Sequence, residues 1–329
     1  MNRLPLTPSK LVHALLACTL AASASAVFAE TYPSKPIQLV IPFPPGGATD
    51  VIGRLVGKKL GDKLGQPVVV DNRPGAGTIV GASFVAKAAP DGYTLLASSG
   101  TTFTVNPAIH AKLPYDPVKS FEPIGFAGRT GLILLANKDV PVTNLKQLVA
   151  AAKAQPGKYS YGSFGTGTTA QFAGEMLFNI AGVKLLHVPY KGSSPAMTDL
   201  IGGQIPYSVD TVAAAIPQVK SGKVKAIAVT TAKRSSLLPD VPTAAEAGFP
   251  GIDADTWLAV VAPRGLPADV KQKLEKALTE VMADADTRKQ LQNAGFEPVE
   301  GNGAAVSALI NKELPLMRAT AQRANITAD

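Results

Sequence analysis

The sequence predicts an α/β protein folded as two lobes with a ligand cleft between them. Short runs rich in β-branched residues alternate with amphipathic helical stretches through most of the chain. The alternation breaks near residue 98 and restarts near residue 130, and each of the two series holds one glycine-rich turn between a strand and a helix.

Residues 37–43 read as a buried strand. A Pro/Gly turn leads from it into a helix beginning near Thr49, with Ile52, Leu55, Val56, Leu60 and Leu64 along one face. A strand at 68–70, a helix at 79–87 and a strand at 93–97 complete a β-α-β-α-β series, which argues for a mostly parallel sheet covered by helices. Residues 98–122, with Asn106-Pro107 and Tyr115-Asp116-Pro117, read as irregular. The second series opens with a strand at 132–136 and a helix capped by Thr143. Strand, Gly/Thr turn and helix recur over 159–180. Further strands fit 184–188, 205–209 and 225–230, with helices near 196–201 and 213–221. Pro239, Pro242 and Pro250 mark a crossing region, after which come a strand at 256–262 and amphipathic helices from Pro267. The expected organisation is a leader at 1–29, one lobe from 30–130 plus 232–329, and a second lobe from 131–231.

The leader is inferred from Arg3 and Lys10 without an acid, an apolar run over 11–22, and small residues up to Ala29. This is the pattern of a secretory signal cleaved near Ala29, and it places the mature chain in the periplasm. A competing reading takes Leu15-Leu16-Ala17-Cys18 as a lipobox with Cys18 lipidated, although apolar residues continue past it. Cys18 is the only cysteine, so a mature chain lacking it has no disulfide and no thiolate chemistry. Loss of Arg3 and Lys10 lowers the formal charge from +8 to +6. The remaining basic residues are scattered and aromatics make up only 6%, which argues against a nucleic-acid partner.

Two turns are equipped to hold an anion. The first is Phe43-Pro44-Pro45-Gly46-Gly47-Ala48-Thr49-Asp50, where glycines admit close backbone approach and the following helix start offers N–H groups and a favourable dipole. Capping of that helix by Thr49 or Asp50 is the plainer alternative. The second is Gly162-Ser163-Phe164-Gly165-Thr166-Gly167-Thr168-Thr169, which lacks the lysine of a phosphate-binding loop and has the wrong glycine spacing for a dinucleotide. A small carboxylate suits both turns. Gly75-Ala76-Gly77-Thr78-Ile79-Val80-Gly81 approximates a dinucleotide pattern, but no acid ends the next strand at Ala97-Ser98-Ser99. Only His110 and His187 follow the leader, and no nucleophile elbow or metal motif is present, so binding is favoured over turnover.

Residues 42–50, Asn72-Arg73-Pro74-Gly75-Ala76-Gly77, Pro90-Asp91-Gly92-Tyr93, Tyr115-Asp116-Pro117, Val188-Pro189-Tyr190-Lys191-Gly192 and Asp240-Val241-Pro242-Thr243 together resemble the Bug family. These are extracytoplasmic receptors of tripartite tricarboxylate transporters, and the resemblance spans essentially the whole mature chain. It implies a type II-like, two-lobed periplasmic-binding-protein fold that closes on a carboxylate or dicarboxylate solute, without a cofactor or metal. It also implies integral membrane transporter subunits as partners; a monomer is expected. The expected ligand contacts are Phe43, Pro45, Gly46, Gly47, Ala48, Thr49, Asp50, Ser99, Thr101, Ser163, Gly165, Thr166, Gly167, Thr168, Thr169 and Asp210. Asp210 is expected to face the far end of the ligand or to cap the helix after it. Gln171 stands where many relatives carry a histidine, which leaves that end of the ligand open. A periplasmic sensory protein and a carboxylate hydrolase using Ser99 or Ser163 remain as alternatives, the latter without a base that the sequence pairs to either serine.

Overall fold

The apolar run Ile37–Ile41 forms β1, whose residues are buried apart from the half-buried Gln38. It pairs in parallel with β2 (Val68–Asn72) and β3 (Thr94–Ser99). Between β1 and β2 lies α1 (Ala48–Leu64), which turns Ile52, Val56, Leu60 and Leu64 towards the sheet. Gly53, Gly57 and Gly61 run along the same helix. A Cβ at Gly53 would lie 2.5 Å from Ile41 Cδ1, so this spacing lets the helix pack closely on the strands. The helix ends at Gly65, whose φ of 73° is the left-handed conformation that suits glycine. The second crossover carries α2 (Ile79–Ala86). A computed structural model is the source of these coordinates and describes residues 32–324 and 326–327; the leader expected at 1–29, with Cys18, lies outside them.

The expected irregular stretch contains a wide helical turn, Thr101–Val105, a short helix α3 (Asn106–Ile109), and the start of β4 (Phe121–Asn137). Sequence periodicity finds only the last third of this 17-residue strand, because Pro123, Gly125, Gly128 and Gly131 break its apolar alternation. β4 pairs antiparallel with β9 (Asp255–Pro263) from Phe121 to Gly131. From Leu132 onward it pairs with β7 (Tyr207–Thr211) on one side and, from Ile133, with β8 (Val224–Val229) on the other. Beyond β7 come β5 (Ser160–Ser163) and β6 (Leu186–Pro189), both parallel. The path β2-β1-β3-β9-β4-β7-β5-β6 is a single mixed sheet whose two halves share β4.

Helices cover both halves. In the second half these are α4 (Leu145–Ala154), α5 (Thr169–Ile180), α6 (Ser193–Ile201) and α7 (Val212–Lys220). α8 (Ala268–Ala283), α9 (Ala285–Asn293) and α10 (Gly303–Ala324) follow β9. In β4, Leu132 and Leu134 pack with Leu148, Tyr161 and Leu177, whereas Ile133 and Leu135 face Leu200, Ile216 and Val229. Both faces are thus buried, as a parallel-rich sheet requires. The first half has its own cluster around Val40, Leu96, Phe103, Phe121, Trp257 and Ile310.

Two local expectations change. Asn144, not Thr143, caps α4, its side chain accepting from Gln147 N–H at 3.0 Å, while Thr143 bonds the Gln147 side-chain oxygen. The segment at 232–252, assigned to the first lobe on sequence grounds, packs on the second half instead. Leu238 and Val241 join the cluster of Ile133, and Ala244 and Ile252 join that of Leu132, because Ala244 N–H and Val229 N–H stitch it beside β8.

Candidate functional site

The first glycine-rich turn is locked from behind. The Asp50 carboxylate accepts from Gly46 N–H at 3.0 Å, from Arg54 Nε at 3.0 Å and from Asn72 Nδ2 at 2.9 Å. Asn72 also donates to the Phe43 carbonyl at 3.0 Å and accepts from Arg54 at 2.8 Å. Burial raises the Asp50 pKa, but the hydrogen bonds from Arg54, Gly46 and Asn72 outweigh it and hold the group below its ordinary value. The sequence motifs at 42–50 and 72–77 are therefore one interlocked unit, and Asp50 serves the turn rather than the cleft.

With Asp50 turned back, α1 begins at Gly47 with no side chain capping it. Its first turn, Gly47, Ala48 and Thr49, lines a pocket. Across from it stand Ser193 at the start of α6 and Asp210 and Thr211 at the end of β7; Ser99, Thr256 and Leu258 complete one wall and Phe43 and Phe164 another. The pocket sits where β4 exchanges β9 for β7, which places strand ends from both halves around it. No lysine or arginine lines it.

Asp210 is fully buried. Its carboxylate accepts from Ser193 Oγ at 2.6 Å and from Thr211 N–H at 2.7 Å, yet burial prevails over these bonds and pushes its pKa up to about 6. Helix α7 is capped by Thr211, which accepts from Ala214 N–H at 3.2 Å. Asp210 is thus a buried hydrogen-bond acceptor at the pocket wall rather than the cap.

The second turn is built differently. Ser163 Oγ accepts from Gly165 N–H at 3.1 Å and contacts His187 Nε2 at 2.7 Å, Gly167 N–H donates to Gln171 Oε1 at 2.7 Å, and Thr169 N–H donates to Thr101 Oγ1 at 3.2 Å. Thr168 caps α5 and donates to the Gly165 carbonyl at 2.7 Å. Gln171 therefore closes its own turn. Gly165 and Thr166 line an adjoining cleft facing Gly75, Gly77 and His110, and only Phe164 from this turn reaches the pocket.

Of the residues expected to touch ligand, Phe43, Gly47, Ala48, Thr49, Ser99 and Asp210 line the pocket. Pro45 and Gly46 do not line it; Gly46 borders a separate surface pocket, and the Pro45 carbonyl accepts from Ser194 Oγ at 3.4 Å. Ser163 and Thr101 are engaged as described. Sequence reasoning missed Ser193, Thr211, Thr256 and Leu258. A strand starting at the crossing back to the first half was the available signal for Thr256.

The two halves touch around this pocket. Phe43 meets Phe164 edge-on with ring centroids 6.2 Å apart, and a Cβ at Gly192 would lie 2.8 Å from the Pro44 ring. A Cβ at Gly77 would lie 2.6 Å from the Thr166 carbonyl oxygen. Among the described residues no helix is long and apolar enough to cross a membrane, and no cluster of His, Cys, Asp or Glu is placed to hold a metal.

Two α/β halves on a shared strand, closing over a pocket headed by an uncapped helix, define a solute-binding protein of the two-lobed periplasmic class. Residues 52–326 match the family described as the tripartite tricarboxylate transporter family receptor, and the chain belongs to that family, which includes the Bug proteins. The periplasmic binding protein BugD superposes with a TM-score of 0.86 at 36% identity, covering 90% of this chain and 99% of its own. Rpa4515 of R. palustris with adipate gives 0.87 at 33%, covering 90% and 99%. MatC of Rhodopseudomonas palustris with bound malate gives 0.84 at 31%, covering 88% and 99%. These are solute-binding proteins, not enzymes.

The Ser163–His187 contact, a pairing not foreseen from the sequence, fits that class. Burial depresses His187 to a pKa of about 4, which keeps the ring neutral, and Ser163 is fully buried inside its own turn. Neither residue lines the pocket.

Proposed function

We propose that the chain captures a small carboxylate or dicarboxylate in this pocket and delivers it to the membrane subunits of a tripartite tricarboxylate transporter. The observation that carries the reading is the contrast between the two helix starts. α5 is capped by Thr168 and closed by Gln171, whereas α1 opens uncapped into the pocket, and its first-turn N–H groups have no intrahelical acceptor. The carboxylate is held there by backbone and hydroxyl donors, with Asp210 facing the ligand's other end. Arg73 plays no part, since it bonds Asp71 and lies over the Phe84 ring. The hinge comprises the crossings near residues 131, 231 and 254, which moves the boundary of the second lobe to about residue 254.

Calorimetry with malate and adipate tests this. A Cβ at Gly47 meets only Ser193 Cβ at 3.7 Å and the Pro44 carbonyl at 4.0 Å, so Gly47→Val folds but puts its methyl groups at the pocket mouth. Loss of one hydrogen bond to a charged group, about 1.5–3 kcal/mol, weakens binding roughly ten- to a hundredfold. Binding unchanged in Gly47→Val and abolished in Arg73→Ala would replace the helix start with an arginine clamp.

A further inference from the structure

Thr256 lies at the start of β9, opposite Thr130 on β4. Strand alternation sends Asp255 and Trp257 to one face, where Asp255 pairs with Arg129 and the Trp257 indole donates to Glu313 at 2.8 Å. Thr256 and Leu258 point to the other face and line the pocket. Thr130, the nearest cross-strand hydroxyl, is already used: it donates to the Gly295 carbonyl at 2.9 Å and accepts from Ala213 N–H at 3.3 Å.

Thr256 is only 4% exposed, and its Oγ1 has no hydrogen-bond partner. Three other buried side-chain atoms among the described residues share that condition, in Asn106, Thr169 and Tyr207, and none of these residues lines the pocket. Buried hydroxyls are ordinarily paired, so an orphan at a pocket wall is available to a partner brought by the ligand. The neighbouring Leu258 is apolar, and Asp210 across the pocket accepts hydrogen bonds but offers no cation, so Thr256 adds a donor away from the α1 start.

We infer that Thr256 is a specificity-determining ligand contact, whose hydroxyl bonds a second oxygen function on the solute, so that the pocket favours hydroxy- or dicarboxylates over plain monocarboxylates. This rests on the reading that α1 holds the first carboxylate. The hydroxyl supplies in the loaded protein the hydrogen bond that the ligand's second end loses on leaving water.

The test compares wild type, Thr256→Val and Thr256→Ser by calorimetry with malate, adipate, butanoate and hexanoate, and by thermal melting without added acid. Malate or adipate is expected to bind wild type more tightly than the matching monoacid. Thr256→Val should weaken that acid about ten- to a hundredfold and leave the monoacid within about twofold, while Thr256→Ser recovers most of the loss. The ligand-free melting temperature of Thr256→Val should equal or exceed that of wild type, because an unpaired buried hydroxyl is being removed. Unchanged affinity overturns the contact, as does a lowered ligand-free melting temperature. Equal loss on diacid and monoacid overturns the selectivity. If wild type takes none of the four acids, the carboxylate reading itself fails and this inference with it.

Discussion

Closure of the pocket predicts an outsized effect of one methyl group at Gly77. This glycine has φ 56° and ψ 43°, and the Cβ of an alanine there would lie 2.6 Å from the backbone oxygen of Thr166 on the other half. The left-handed backbone costs a non-glycine residue about 1–2 kcal/mol whether the halves are together or apart. The collision arises only when they close, and forcing a methyl group into a filled space costs about 1–3 kcal/mol. If binding requires closure, that second cost appears in the affinity, as about a five- to hundred-and-fifty-fold weakening of adipate or malate. Gly157→Ala supplies the control, since Gly157 also has positive φ, 77°, but nothing lies within 4 Å of its Cβ position. Urea unfolding should show similar backbone penalties for the two variants, and calorimetry should show weakened binding only for Gly77→Ala. Equal affinities in wild type and Gly77→Ala would refute closure at this contact as a requirement for binding.

Two further outcomes follow from the site. Gln171→Met leaves Gly167 N–H unpaired and should lower the unfolding free energy by about 1–3 kcal/mol while the dissociation constant stays within about twofold; weakened binding at unchanged stability would instead put Gln171 on the ligand. Asp210, raised by burial from 3.8 to about 6, holds its proton to higher pH in the folded state than in the unfolded chain. Its contribution to stability is therefore full below about pH 4 and is lost as pH rises through about 6, a component that Asp210→Asn should remove from the pH dependence of chemical unfolding; an identical pH profile in the variant would refute the assignment.

The β-α alternation was legible because both faces of the sheet are buried, which leaves unbroken apolar runs such as 37–41 and 132–136. The first two thirds of β4 were not, since its prolines and glycines mask a strand held by long-range pairing with β9. The first turn showed its chemistry in sequence, but not that Asp50 would be drawn back by Arg54 and Asn72 to leave α1 uncapped. The second turn is also glycine-rich but has the opposite character, because Ser163 and Gln171 satisfy its own amides. Thr256 and Ser193 come from strand and helix starts far apart in sequence, and only the exchange of partners along β4 gathers them.

Trp257 is the only tryptophan in the chain. Its indole stacks on Phe103 at 5.7 Å and donates to the Glu313 carboxylate, while the residues on either side of it, Thr256 and Leu258, line the pocket. In optical terms the chain carries a single tryptophan emitter on the strand that lines the pocket. A carboxylate against the indole N–H makes the emission sensitive to small displacements of β9. Filling and emptying of the pocket should thus be readable as one fluorescence band in unlabelled protein, and stopped-flow mixing would time closure on the molecule itself.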